Sequence, residues 1–276
     1  MIRAALPVLA ALGLGSCAPA APHPSAEAAH PRIASLNPCL DAILVEVARP
    51  GQVAALSHYS RDPSASSIPS AVARRYRTTG GTVEELIALE PDIVLASTFT
   101  DPATRSAMER LDMRVATFGI AGSVADSLAQ VEEIGRIAGR QEAARRLAER
   151  IEGAVAKARA DEGPGPSIAL WQPGGIVPGE AALVSQLVRI AGFTSSSVTR
   201  GMEQADYLDL ESIIADPPDI LLVAGSETGQ QHPVLGRIDG MERVPFDTSL
   251  IYCGGPTIIA ALERLTTIRE EWRARR

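Results

Sequence analysis

The sequence predicts an α/β protein of two similar lobes with parallel-type sheets, joined by a long interlobe helix. Three observations carry this. The first is a duplicated block. Thr82 to Ser97 (TVEELIALEPDIVLAS) and Asp209 to Gly225 (DLESIIADPPDILLVAG) match closely, with Glu84 and Glu211, Pro91 and Pro218, and Asp92 and Asp219 each 127 residues apart. The second is strand and helix alternation around each copy, the pattern of a parallel sheet. The third is a stretch from Ser123 to Asp161 that reads as helix only. Solenoid repeats recur every ~20 to 50 residues, so one repetition at this distance argues for two Rossmann-like lobes. The boundaries follow: 1–30 outside the fold, 31–122 an N-terminal lobe, 123–162 the connection, and 163–276 a C-terminal lobe.

Each copy is a short helix feeding a buried strand. Thr82 and Asp209 offer side-chain oxygens to the first free N–H groups, and Thr82 with Glu85 has capping-box spacing. Pro91 and Pro218 end the helices, because proline removes a donor and pushes its predecessor out of the α region. Ile93-Val94-Leu95 and Ile220-Leu221-Leu222-Val223 are unbroken apolar runs, suited to strands covered on both faces.

The remaining elements fall into place around these copies. Arg32 to Leu36 is a first strand stopped by Asn37-Pro38, Asp41 to Ala48 a helix, and Val53 to Leu56 a second strand ending in the polar loop from Ser57 to Pro63. Ser64 to Gly81 is a loop carrying Arg74, Arg75 and Arg77, and after the first copy come helix Thr104 to Leu111 and strand Val115 to Phe118. Between the lobes Val124, Leu128, Val131, Ile134 and Ile137 recur at helical spacing, and Leu147, Ile151 and Val155 resume after a break at Gly139. Residues 141–160 reach ~30 Å as a helix. Beyond Gly163-Pro164-Gly165-Pro166 the sequence predicts strand Ser167 to Trp171, a turn at Gln172 to Gly175 and helix Leu183 to Ile190. After the second copy it predicts an irregular Val234 to Met241, a short strand Leu250 to Tyr252, and a terminal helix Pro256 to Trp272.

Composition narrows the function. The 276 residues hold about two domains. A net charge of −7 and a pI near 5.2 argue against a nucleic-acid or anionic-membrane surface. One lysine, Lys157, stands against 25 arginines, a matter of genome composition. Met1 to Leu14 reads as an export signal, its apolar stretch too short to span a bilayer. Leu14-Gly15-Ser16-Cys17 resembles a bacterial lipobox in which Cys17 is lipidated, with ordinary cleavage near Ala18 to Ala21 as the alternative. Ala18 to Pro31 then reads as a tether, and the expected location is the periplasm in either case.

The order of these elements resembles a known family, the substrate-binding proteins of ABC importers for cobalamin and ferric siderophores or haem. RIASLNP, AALSHYS, the two copied blocks, the helix after Gly122, and YCGGPTIIAALERL carry the resemblance over residues 31–272. It implies two lobes joined by one rigid helix, a metal chelate in the cleft as ligand with no resident cofactor, and a permease dimer with its ATPase as partner to a monomer. It further implies that one acidic residue per lobe, Glu84 and Glu211, meets arginines of the permease. Read without it, each carboxylate simply favours a helix N-terminus.

Ligands of open α/β sheets bind beyond the carboxyl ends of the strands. Four of the scarce aromatics fall there: Tyr59, Phe99, Trp171 and Tyr252. Their faces suit a flat macrocycle or chelate, with Ser57, His58, Ser97, Thr98 and Gln172 as polar neighbours; the competing reading of each ring is core or rim. The resemblance aligns Tyr59 with a cleft tyrosine of cobalamin-binding members, whereas Thr78 and Ser97 stand near positions where those members carry tryptophan. His58 is read as a loop histidine making ordinary hydrogen bonds, with metal coordination as the alternative. The arginines of the 74–77 cluster offer either an anion clamp or a solvated loop. Cys39 and Cys253 are open to three readings, two buried thiols, an interlobe disulfide or a soft metal site, of which the first is favoured. An exported hydrolase using Ser57, His58 and Asp62 is the enzyme alternative, disfavoured because three neighbours on one loop rarely reach the needed geometry. A component presenting ligand to a sensor is a third reading.

Overall fold

The computed structural model of the chain describes residues 30–159 and 165–276. Cys17 and the leader lie outside the described residues. The N-terminal lobe runs β1 (Ile33–Ser35), α1 (Pro38–Val47), β2 (Val53–Ser57), α2 (Ser70–Ala73), β3 (Thr78–Thr79), α3 (Val83–Leu89), β4 (Ile93–Ser97), α4 (Pro102–Arg110) and β5 (Val115–Phe118). All five strands are parallel, in the order β3-β2-β1-β4-β5. After α5 (Val124–Ile137) and α6 (Gln141–Ala158), the C-terminal lobe runs β6 (Ser167–Trp171), β7 (Ile176–Val177), α7 (Leu183–Ile190), β8 (Thr194–Ser195), α8 (Ser196–Thr199), β9 (Asp206–Tyr207), α9 (Leu210–Ala215), β10 (Ile220–Ala224), β11 (Glu242–Phe246) and α10 (Thr257–Ala274). Its parallel sheet has the order β11-β10-β6-β8, and β7 pairs with β9 as a small antiparallel ribbon.

The two copies of the repeat occupy equivalent places in separate sheets. Thr82 caps α3 through the Glu85 N–H, and Asp209 caps α9 through the Ser212 N–H. The aspartates that follow each proline do the same work. Asp92 accepts the Arg32 N–H at 2.7 Å where β1 begins, and Asp219 accepts the Ser167 N–H at 2.8 Å where β6 begins. Each carboxylate thus ties its strand to the start of the neighbour with which it pairs. The expected capping box does not close. The Glu85 carboxylate turns instead to the Thr79 hydroxyl and the Gly80 N–H, both at 2.6 Å, which hold it below the usual carboxylate range.

Both sheets are covered on both faces, as their apolar runs require. Ile33, Leu56, Ile93 and Leu95 face one core, whereas Ala34, Ala55 and Val94 face the other with Leu86 of α3 and Met108 of α4. In the second lobe Ile168, Ile220 and Leu222 point one way and Ala169, Trp171, Leu221 and Val223 the other. The inward cores of the lobes are one continuous cluster, running from β1 through α1, α5, α6, α7 and α10 to β10.

The connection differs from a single strut. Gly139 breaks it, as its sequence predicts, but the break is a full turn. Gly139 adopts φ +63°, its N–H reaches the Arg136 carbonyl and the Arg140 N–H reaches that of Gly135, a closing motif that needs glycine. α5 and α6 pack along one another, with Gly135 so close to Ala144 that a Cβ on the glycine would lie 2.3 Å from the alanine's. Both helices bridge the lobes. On α5, Gln130 donates to Gly119 of the first lobe and Ser127 accepts from Gly255 of the second. On α6, Arg150 pairs with Glu46 of α1 while Ala158 accepts from Arg269 of α10.

One strand lies elsewhere than its sequence suggests. Leu250 to Tyr252 belong to and follow a 3-10 turn, and the strand lies earlier, at Glu242–Phe246. Glu242, Arg243 and Pro245 hide it in the sequence. Its edge position explains the proline, since an edge strand has one side without ladder bonds to supply.

Candidate functional site

In the first sheet the chain steps outward from β1 to β2 and β3, then returns to β4 and β5, so the crevice between the carboxyl ends of β1 and β4 is the topological switch point. A recess of about 70 Å³ opens there, lined by Asn37, Ser97, Phe99, Phe118, Ile120 and Gln130 from one side and closed by Tyr252 and Gly254 from the other lobe. Ser97, Phe99 and Tyr252 are therefore brought together as expected. Asn37, Ile120 and Gln130 were not anticipated, although an isoleucine flanked by glycines in the Gly119–Gly122 loop was a signal. Phe99 and Ile120 stand 74% and 75% exposed at the mouth, and Tyr252 50%. Asn37 caps α1, accepting from the Cys39 and Leu40 N–H groups. Thr98 is exposed beside Phe99, its N–H donating to the Phe118 carbonyl.

One strand along the same edge, β2 ends in a 3-10 turn, His58–Arg61, that presents Tyr59, 51% exposed. The His58 ring lies against that of Tyr59, centroids 4.0 Å apart, and its Nδ1 sits 3.3 Å from the Thr79 carbonyl oxygen. That is the ordinary hydrogen-bonding role. The turn is held from beneath by Asp41, a residue that sequence reasoning took only as the start of a helix. Its Oδ2 accepts the Ser57 N–H at 2.8 Å and the Ser60 hydroxyl at 2.6 Å, with no part of the residue exposed. Burial pushes its pKa up to about 7, against the nearby Ser35 hydroxyl and the hydrogen bonds of Ser60 and Ser57, which pull it down. An acid amid Leu40, Ala42, Ile43 and Leu44 was the available signal.

The second lobe contributes differently than expected. Its switch point lies between β6 and β10, and there the Gln230 side chain fills the crevice, donating at 3.0 Å to the carbonyls of both Trp171 and Ala224. Trp171, 4% exposed, is consequently a core residue, its indole N–H bonded to the Leu208 carbonyl at 2.8 Å. Its ring offers no stacking face. Gln172 is likewise buried, and its backbone closes the turn to Gly175 and Ile176.

The favoured reading of the cysteines is overturned, for Cys39 at the start of α1 and Cys253 before α10 form a disulfide, with Cα atoms 4.9 Å apart. The bond fixes Tyr252 beside α1. Nearby, the Ser67 hydroxyl donates to the Ser249 carbonyl, a second tie between lobes. Among the described residues no group of His, Cys, Asp or Glu is arranged to hold a metal ion, and no helix is long and apolar enough to cross a membrane.

Arg74, Arg75 and Arg77 are exposed and precede β3, and none of them lines the recess. The suspected hydrolytic trio is not assembled. Ser57 Oγ accepts the Tyr59 N–H, His58 faces Thr79, and Asp62 is engaged with Ser64. Glu84 and Glu211 are exposed in the first turns of α3 and α9.

Two parallel-sheet lobes sharing one inner core, with a recess between their loops, form the architecture of a two-lobed binding protein. The chain belongs to the periplasmic binding protein family, whose model matches residues 33–240. Its fold is similar to that of the periplasmic haem-binding protein HutB of Vibrio cholerae, at 16% identity and a TM-score of 0.71 over 87% of this chain and 99% of the other. The vitamin B12-binding protein BtuF of Vibrio cholerae aligns at 14% identity and 0.69, covering 88% and 98%. An ABC transporter substrate-binding protein of Listeria monocytogenes aligns at 17% and 0.66, covering 88% and 100%. A search of curated protein sequences found no match.

Proposed function

We propose that the protein captures a metal chelate of the corrinoid, haem or ferric-siderophore class at the interlobe recess and delivers it to an ABC permease. The observation that carries this is the group of exposed apolar side chains at the recess, Phe99, Ile120 and Tyr252, with exposed Tyr59 one strand along the same sheet edge. Exposed rings of this size clustered at one mouth mark a binding surface. The recess is far smaller than the ~300 to 1,000 Å³ of an enclosing small-molecule pocket. A planar ligand would therefore lie across the mouth, burying its face on those side chains while Asn37, Ser97 and Gln130 orient a polar edge. Glu84 and Glu211, exposed at equivalent places on the two lobes, are suited to a two-fold symmetric partner bearing arginines, where such pairs set orientation and encounter rate. Cys17 would anchor the chain to a membrane by lipidation, leaving 18–31 as the tether.

Titration of the purified protein with cyanocobalamin, haemin and a panel of ferric siderophores, read by calorimetry, tests the capture. One class should saturate at a single site, and Phe99→Ala with Tyr252→Ala should weaken it at least about tenfold while the melting temperature holds. Absence of binding across the panel, or indifference to these substitutions, would sink the proposal. Glu84→Ala with Glu211→Ala should preserve affinity and abolish uptake in cells; normal uptake would remove the docking role.

A further inference from the structure

We infer that Asp41 is a positioning residue for the ligand-contact turn Ser57–Arg61, and that a single proton on its carboxyl decides how firmly the turn presents Tyr59 to the cleft. The inference rests on the capture function proposed above. Its geometric basis is direct. Asp41 is fully buried, one of its oxygens holds the turn at both ends of its first four residues through the Ser57 N–H and the Ser60 hydroxyl, and the other, Oδ1, is buried without a hydrogen-bond partner. An unpartnered carboxylate oxygen in so dry a place is costly when charged and far less so when protonated.

The groups around it leave Asp41 as the titrating centre. β1 and β2 carry no ionisable side chain. On the turn, His58 faces the Thr79 carbonyl, Arg61 donates to the Tyr76 carbonyl and Asp62 is bonded to Ser64. On α1, Glu46 pairs with Arg150 of α6, and Arg140, preceding α6, reaches toward the Val47 carbonyl. The groups acting on the carboxyl are three serine residues and burial itself, with no cation among them.

Linkage then fixes the direction. Lifting the turn removes its two donors from the carboxylate and admits water, which relieves the burial that raises the proton affinity of Asp41. The closed turn binds the proton more tightly than the lifted one, so protonation favours closure, and raising the pH toward neutrality loosens it by up to about tenfold per pH unit, levelling off once the closed-state carboxyl has also ionised. Ligand affinity falls in the same direction.

The test compares wild type, Asp41→Asn and Asp41→Ala between pH 5.5 and 8.5. Backbone amide shifts of Ser57, Tyr59 and Ser60 are followed by NMR without ligand, and the affinities for haemin and cyanocobalamin are measured alongside. Wild-type amides should move together with a midpoint near neutrality, and affinity should be about fivefold or more weaker at the top of the range than at the bottom, levelling off above the midpoint. Asp41→Asn, a neutral carboxyl mimic that keeps an acceptor, should be flat and remain tight at pH 8.5, whereas Asp41→Ala should be loose throughout. His58→Gln, in the amide measurement only, separates the histidine's own titration and should keep the wild-type midpoint. Amides that do not titrate, a midpoint retained in Asp41→Asn, or one lost in His58→Gln would each overturn the assignment. If neither probe binds, the capture proposal fails for those ligands, and the amide shifts still decide the role of Asp41.

Discussion

Asp41 has a second consequence, for the stability of the whole chain. Its folded-state pKa of about 7 lies above the ~3.9 of an unfolded aspartate. Between those limits the folded chain holds more protons than the unfolded one, so this contribution is present below about pH 4 and is lost as pH rises to about 7, at a slope approaching 1.4 kcal/mol per unit. Urea midpoints measured from pH 4 to 8 should show that decline in wild type and a flatter profile in Asp41→Asn. An unchanged slope in the variant would place the dependence elsewhere. At this scale the sequence was partly legible. Ser97 and Phe99 reach the recess from the end of β4, where the sequence puts them, whereas Tyr252 reaches it from beyond a 3-10 turn. Trp171 also stands at a strand end and is buried, because Gln230, 59 residues further along, fills the crevice in front of it.

Among the elements, the α5–α6 hairpin is the least forgiving. Alanine is the better helix former by about 1 kcal/mol in an exposed helix interior, so Gly135→Ala would stabilise an isolated α5. Here its Cβ would collide with that of Ala144, and a well-packed core resists such insertion at about 1 to 3 kcal/mol. A lower melting temperature for Gly135→Ala is expected; a higher one would mean that the two helices are not in close contact. The repeat units show the opposite behaviour, since caps, prolines and strands follow local chemistry and appear where the sequence puts them. β11 escaped because its apolar pattern is broken by Glu242, Arg243 and Pro245, and what makes it a strand is β10 alongside.

For the whole molecule, the continuous inner core, the two bridging helices and the Cys39–Cys253 bond all oppose lobe opening. Ligand should therefore leave the radius of gyration in solution scattering unchanged within error; a clear contraction would indicate a hinge that the shared core does not provide. The disulfide closes a loop of 214 residues, and the chain-entropy account assigns such a link about 5 kcal/mol. Denaturation under reducing conditions, or of Cys39→Ser with Cys253→Ser, should shift the midpoint accordingly, and an unaltered midpoint would show that the link constrains nothing. Lobe rigidity thus belongs to the assembly of both halves.

By itself the sequence determined that there are two α/β lobes, where their copied units lie, and that Tyr59 and Phe99 stand just beyond the ends of strands. Those features follow from periodicity, proline and capping, which act within a few residues. Only the tertiary structure decided that the connection doubles back, that Cys39 meets Cys253, that Gln230 closes one crevice while the other stays open, and that Asp41 lies dry beneath the Tyr59 turn. Each of these joins segments distant in the chain, and burial, which sets what a side chain can do, is a property of the neighbours that folding supplies.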